Sequence, residues 1–204
     1  GVIVAVLLTA FISGWRSWQY KVNTANTALM VQAMSGEDVP TALDEIEQAL
    51  RPGQKAVAYL SHVGILLNEG QADEALAVLR EAAADKSIPK PYDQLIQLQT
   101  ARIAWETEGE SADHQALLSS LQPIANDNQS PWHWHAKLQM ALILGHNLKD
   151  YEQAHQHLAA IRQAQDAPET LVRRAVAVDS MFRIAAAAQG ADADAPSSNE
   201  EPEG

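Results

Sequence analysis

The feature that most constrains the fold of this chain is the helical spacing of its apolar residues. From about residue 54 onwards they recur every three or four positions in segments that end at glycine, proline or polar turns, which indicates amphipathic α-helices. No stretch shows the sustained period-two alternation of a half-buried strand. We therefore predict an all-α body. The predicted helices are 54–68, 71–84, 91–108, 112–124, 132–144, 150–165 and 168–189.

The sequence also predicts where the helices end and which segments connect them. Upstream, helix is predicted to about Met34, and a short helix follows from Pro40. Residues 51–53 are expected to end that helix, because proline and glycine together interrupt helical structure. Between the fourth and fifth body helices we expect an extended loop at 122–131. A turn is predicted around Gly145-His146-Asn147.

Charge and composition exclude some classes of function. Alanine and leucine, both strong helix formers, carry most of the apolar content, and the formal net charge is −12. Phosphate binding needs a basic face, so we expect no nucleic-acid partner. The absence of cysteine excludes disulfides and thiolate chemistry. Residues 190–204 are rich in alanine, acid, proline and serine, and we expect a disordered acidic tail.

The first residues indicate a membrane anchor over 1–20. Residues 1–13 are apolar and uncharged, whereas a spanning helix needs about 20 such residues. Because the sequence starts without methionine, we expect preceding residues to complete the span. A secretory signal peptide and a buried core helix are the alternatives, but Gly14-Trp15-Arg16 is a poor cleavage site. Aromatic and cationic side chains typical of a membrane interface follow the apolar run: Trp15, Arg16, Trp18, Tyr20 and Lys21.

Two helix pairs within residues 21–189 look alike. In 59–82, a glycine turn precedes the small residue Ala75, and Leu79 follows one turn later. In 149–161, Tyr151 and Ala154 repeat the pattern. Both units look like tetratricopeptide repeats, and a stack of them would form an α-solenoid. The separation of Ala75 and Ala154 exceeds two regular repeats of ~34 residues, so these repeats are divergent. A plain helical bundle is the alternative.

The combination resembles a bacterial family. An apolar segment ending in Gly14-Trp15-Arg16-Ser17-Trp18, followed by divergent repeats, is similar to the ancillary subunit of the Sec translocon. The resemblance covers residues 1 to about 187. It implies an inner-membrane protein with a single span, the N-terminus inside and a periplasmic repeat domain. It also implies partners among translocon subunits and periplasmic chaperones, to which secreted chains are handed over. The acidic tail and the histidine-rich third unit depart from the family and leave the partner open.

A repeat domain of this kind binds proteins in the groove that its inner helices line. Trp134 follows Pro131-Trp132-His133 and is either an interface anchor or a packing residue of the helix start. The side chains predicted to contact a protein partner are Tyr59, His62, Leu66, Trp134, Lys137 and Met140. Self-association of the repeats, in a scaffold for envelope or organelle assembly, is the alternative.

Histidine is the only residue type that suggests chemistry. Five of the seven histidines fall in the third unit: His133, His135, His146, His155 and His157. One from each pair, such as His135 and His155, can meet across the hairpin, which keeps a metal-dependent hydrolase as a third hypothesis. Neither His135 nor His155 has an acidic residue three or four positions after it, and no nucleophile motif or phosphate loop is present. We therefore predict no enzyme activity, metal, cofactor or small-molecule substrate.

Overall fold

The computed structural model describes residues 50–193, with side chains as far as Gln189. In this range the chain is all-helical and contains no strand, which confirms the predicted class. A short 3-10 helix spans Gly109–Ser111. The α-helices are α1 (Pro52–Asn68), α2 (Ala72–Ala84), α3 (Lys90–Glu108), α4 (His114–Asn126), α5 (His133–His146), α6 (Tyr151–Gln163) and α7 (Glu169–Ala193).

The chain divides into two compact units, with the boundary between Ile96 and Gln97, inside α3. The predicted anchor, the predicted helices before residue 50 and the tail beyond 193 lie outside the described residues. Within residues 50–193, no helix has both the length and the apolar character needed to cross a membrane.

In the first unit, α1 and α2 form an antiparallel hairpin. α1 begins at Pro52, two residues before the predicted start at residue 54. Proline suits the first helical position, where its missing N–H has no intrahelical partner in any case. The chain reverses after α1 at Gly70, whose φ of +78° favours glycine. Ala75 is fully buried in α2, as its small size at a helix crossing predicted.

In the second unit, α5 is the central helix. It packs against α4, α6 and α7, and nine of its 14 residues are buried. A helix surrounded in this way has no clear amphipathic stripe. The end of α3 is fixed to the turn after α5, because Trp105 Nε1 donates to Asn147 Oδ1 at 2.6 Å. Alternating side chains of α4 to α7 fill the core, among them Leu121, Ile124, Ile143, Leu158, Ile161 and Phe182.

Gly145 is a packing residue of α5, so the turn begins two residues later than predicted, at Asn147. The helix continues to His146, and the reversal follows at Lys149, whose φ is +56°. A Cβ atom on Gly145 would lie 2.3 Å from Cε2 of Phe182 in α7. Carbon atoms at contact are separated by about 3.5–4 Å. The absence of a side chain at Gly145 therefore allows the Phe182 ring to pack directly on the α5 backbone.

The predicted loop at 122–131 was also too long. α4 continues through Pro123 to Asn126, because Ile124 and Ala125 are buried. Pro123 is exposed and lies in the last turn, where loss of one amide donor costs less than in the helix centre. The remaining connection is a compact turn in which Ser130 N donates to Asp127 O at 2.8 Å.

Candidate protein-binding groove

A depression of about 240 Å³ lies over α5, between α4 and α6. Met140 and Leu144, one turn apart on α5, line it and are 3% and 4% exposed. The remaining lining residues come from the two flanking helices: Gln115, Leu118, Ser119, Gln122, Gln153 and His157. We call this the Met140 groove.

The periodicity of the helices explains how these residues meet. On α4, the spacings are four residues from Gln115 to Ser119 and three from Ser119 to Gln122, which places these side chains on one face of the helix. On α6, Gln153 and His157 are four residues apart. The groove thus combines an apolar floor with amide and hydroxyl groups. Side-chain amides both donate and accept hydrogen bonds, so this lining suits the backbone of a bound polypeptide segment.

Some of these amides are held by local hydrogen bonds. Gln122 Nε2 donates to Asn126 Oδ1 at 3.0 Å. Gln153 Nε2 donates to Asp150 Oδ2 at 2.5 Å, and the Gln153 backbone N–H donates to Asp150 Oδ1 at 3.0 Å. Asp150 therefore acts as the N-cap of α6 and also positions a groove side chain.

The aromatic start of α5 adjoins the groove helices. Lys137 Nζ lies 5.1 Å from the centroid of the Trp134 ring, within range of a cation–π interaction. The Trp134 and His133 rings are 4.2 Å apart. Trp134 Nε1 is buried without a hydrogen-bond partner among the described residues. Trp134 and Lys137 are both half-buried, so each keeps some accessible surface.

The other predicted contact residues lie in the first unit. Tyr59 and His62 are half-buried on α1, whereas Leu66 is buried in the core of that hairpin. Of the six predicted side chains, Met140 is the one that lines the groove. The predicted membrane-interface residues lie outside the described residues.

The five clustered histidines have separate surroundings. His133 Nδ1 lies 2.7 Å from Ser130 O, and His146 stacks edge-on against Trp105 at 6.0 Å. His155 Nδ1 lies 2.6 Å from Asp179 Oδ1, and His157 lines the groove. In residues 50–193, no three side chains of the metal-ligating types come together as a site.

Asp179 is an important residue that the sequence reasoning missed. It lies on α7, is 4% exposed, and carries three basic partners. Besides His155, Arg162 Nη1 of α6 donates to Oδ2 at 2.8 Å, and Arg183 Nη2 lies 3.0 Å from the same oxygen. The sequence contains a sign of this buried charge, because Asp179 interrupts the apolar stripe of α7 between Val178 and Phe182. A depression of about 380 Å³ adjoins this cluster.

The comparisons with known proteins add no relative: no protein-family model, curated protein or solved structure matches the chain. Over residues 50–193, the structure defines an all-helical fold with a groove of apolar floor and polar margins.

Two histidines make stability depend on pH. Burial, and secondarily the charges of Arg174 and His133, lowers the pKa of His135 below its ordinary value. Burial, and secondarily Lys137, lowers the pKa of His157. The folded chain therefore favours neutral imidazoles, and the unfolded chain binds these protons more readily. The stability that these two imidazoles contribute is therefore present above the unfolded pKa of about 6.5, and it is lost as the pH falls from there through their lowered folded pKa values.

We expect the Tm to fall between pH 7.5 and pH 5, and to fall less in the double variant His135→Gln, His157→Gln. Differential scanning calorimetry at both pH values measures this difference. Each protein serves as its own reference, so any pH-independent cost of the substitutions cancels. An equal fall in both proteins would show that these two imidazoles do not supply the dependence.

Proposed function

We propose that the chain is a membrane-anchored adaptor whose helical hairpins form a tetratricopeptide-like α-solenoid that binds other proteins. In this proposal residues 1–20 hold the chain in the bacterial inner membrane, and the helical body lies in the periplasm. The chain acts as an ancillary subunit of the Sec translocon and aids the transfer of secreted proteins to periplasmic chaperones. It carries no cofactor and performs no catalysis.

The observation that carries the protein-binding proposal is the composition of the Met140 groove. Its floor is apolar, whereas its sides present three glutamine side chains, a serine and an imidazole. A polypeptide segment offers matching chemistry, with backbone amides for the sides and an apolar side chain for the floor. Half-buried Trp134, on the same helix as Met140, adds an aromatic side chain of the kind enriched at interface hot spots, and Lys137 lies over its ring.

The adaptor role rests on the sequence resemblance together with this groove. Glycine turns with positive φ at Gly70 and Gly109 separate successive helices, and small buried residues occur at equivalent positions of α2 and α6, namely Ala75 and Ala154. These features support divergent repeats. Anchoring such a domain beside a membrane complex raises its effective concentration there.

Adjacent serines on α4 give a matched test in cells. Ser119 lines the groove and Ser120 does not, although both are exposed and both hydroxyls donate to carbonyls of their own helix. With a photoreactive amino acid at position 119 of the membrane-integrated protein, we expect crosslinks to translocon subunits or periplasmic chaperones, identified by mass spectrometry. Position 120 should give few. The same photoreactive amino acid at positions 59, 134 and 137 tests three of the other predicted contact residues.

A filling substitution tests the same groove without crosslinking. Ser119→Trp places a large ring in the depression, and we expect about a tenfold or greater loss of co-purified partner, equivalent to about 1.4 kcal/mol. Ser120→Trp should have little effect. Crosslinks only between copies of the chain would support the self-associating scaffold instead. Equal results at positions 119 and 120 would reject the groove as the binding site.

A further inference from the structure

One end of the Met140 groove is basic. Of the eight described residues that line the groove, His157 alone is ionisable and none is acidic. Lys137 lies one turn before Met140 on α5, and its positive charge acts on His157. Both side chains are half-buried. We call Lys137 and His157 the basic end of the groove.

Neither side chain of the basic end has a polar partner. Lys137 Nζ contacts the Trp134 ring and forms no ion pair or hydrogen bond with the described side chains. The ring nitrogens of His157 have no hydrogen-bond partner in the described part of the chain either. Several other cations pair with carboxylates: Lys55, Arg162, Arg173 and Arg183. The basic end therefore keeps donors that an incoming acceptor can use.

Each helix around His157 contributes a defined charge. From α5 the charged group is Lys137. The α4 residues that line the groove are uncharged, and so are the neighbours of His157 one turn away on α6. α7 contacts a different side of α6, because Asp179 binds His155 and Arg162, and these two residues do not share the face of His157. The local charge at this end of the groove is therefore positive.

Nearby acidic side chains are engaged elsewhere. Both carboxylate oxygens of Asp150 accept from Gln153, one turn before His157 on α6. Glu152 lines the depression beside Asp179. The whole chain carries a net charge of −12, but charges more than about 8–10 Å away are largely screened at physiological salt. The local basic pair therefore decides which sign of charge the groove attracts.

The spacing along α5 sets how a bound segment must be built. The centre of the floor, between Met140 and Leu144, lies about five residues or about 7.5 Å along the helix axis from Lys137. In an extended segment, alternate side chains point to the same side and are about 6.6 Å apart. An apolar side chain on the floor therefore brings the side chain two residues away to the basic end.

We propose that the Met140 groove recognises an acidic segment of a partner protein. In this segment an apolar side chain packs on Met140 and Leu144, and an aspartate or glutamate two residues away binds Lys137 and His157. Such recognition presupposes the protein-binding function proposed above, on which this inference rests. A carboxylate accepts charge-assisted hydrogen bonds, which are stronger than neutral ones.

Binding of this segment takes up a proton at His157. Burial, and secondarily the charge of Lys137, lowers the pKa of His157, so the imidazole is neutral at pH 7.5 in the free chain. A bound carboxylate favours the charged imidazole and raises its pKa in the complex. Because the complex then holds the proton more readily than the free chain, the affinity rises as the pH falls from 7.5 to 6.

A peptide array tests the recognition with the chain in detergent micelles. The probes are short immobilised peptides with varied flanking residues around a fixed leucine. Each peptide is made in otherwise identical versions with glutamate, glutamine or lysine two residues from the leucine. We expect the glutamate versions to bind about tenfold more tightly than the glutamine versions, and the lysine versions to bind most weakly.

Variants of Lys137 test where the carboxylate binds. Lys137→Gln should remove the preference for glutamate over glutamine, and Lys137→Glu should transfer the preference to the lysine versions. Lys149→Gln is the matched control, because it removes one positive charge from an exposed residue outside the groove lining. It should leave the preference for glutamate unchanged. Circular dichroism establishes that all three variants fold.

The role of His157 has a separate readout in the pH dependence. For a glutamate peptide, we expect about a threefold or greater gain in affinity between pH 7.5 and pH 6. His157→Gln should remove this gain. His146→Gln, at an exposed position at the end of α5, should retain it. An equal gain in the parent chain and in His157→Gln would overturn the binding of the carboxylate to His157.

The outcomes separate acidic recognition from the protein-binding function itself. Equal binding of glutamate and glutamine versions, lost in both cases in Ser119→Trp, would overturn acidic recognition and leave the groove as a protein-binding site. Peptide binding that is insensitive to Ser119→Trp would reject the groove and acidic recognition together. Crosslinks from position 119 to residues 190–204 of the chain itself, or to a second copy, would identify another occupant and also overturn the proposal.

Discussion

Replacing Gly145 with alanine is expected to destabilise the second unit by about 2 kcal/mol or more, with a fall in Tm of about 5 °C. The added Cβ would lie 2.3 Å from the Phe182 ring. The ring is 5% exposed and packs among core residues, so it cannot swing away freely. Alanine favours a helix interior over glycine by about 0.5–1 kcal/mol, which offsets only part of the clash. Thermal unfolding followed by circular dichroism measures the change.

Gly64 provides the matched control. It also lies inside a helix, α1, but a Cβ there would have no neighbour within 4 Å among the atoms that the structure describes. Gly64→Ala should be neutral or stabilising by about 0.5–1 kcal/mol. Combining Gly145→Ala with Phe182→Leu should recover part of the lost stability, because the smaller leucine side chain leaves room for the added Cβ atom. Equal effects at positions 64 and 145 would mean that the close approach of α5 and α7 is not a constraint.

Replacing Asp179 with alanine should cost about 3 kcal/mol of unfolding free energy. The substitution removes a buried carboxylate that holds one histidine and two arginines, and charged hydrogen bonds of this kind contribute about 1.5–3 kcal/mol each when broken singly. Because Arg162, Arg183 and His155 are partly exposed, water replaces some of the lost contacts. The total therefore stays well below the sum. Denaturant unfolding provides the measurement.

Asp166 is the control for Asp179. It is an exposed aspartate between α6 and α7, and its replacement by alanine should change stability by no more than about 0.5 kcal/mol. Single substitutions Arg162→Gln and His155→Gln should each cost less than Asp179→Ala, because they leave two of the three contacts. If Asp179→Ala and Asp166→Ala lowered the free energy of unfolding by the same amount, the contacts of the buried Asp179 carboxylate would contribute no more to stability than those of an exposed aspartate.

Much of the local structure followed from the sequence. The end of α1 at Asn68 was predicted from helical spacing, and the glycine turn expected before Ala75 lies at Gly70, whose φ is +78°. These features depend on residues close together in the chain. The Met140 groove was partly anticipated, because Met140 was among the predicted contacts. Its other lining residues were not, since they come from three helices whose mutual rotation the sequence does not encode locally.

The turn predicted around Gly145 was placed too early, because glycine interrupts helices on average. The surrounding structure decided this position, since the Phe182 ring packs directly against Gly145. In the same way, the predicted loop at 122–131 was too long, because Ile124 and Ala125 are buried in a longer α4. Likewise, His155 and Asp179 are 24 residues apart and interact only because α6 packs on α7. The sequence alone determined which segments are helical, through local propensity and periodicity, whereas tertiary packing decided which glycine, proline or charged residue acts as a structural contact.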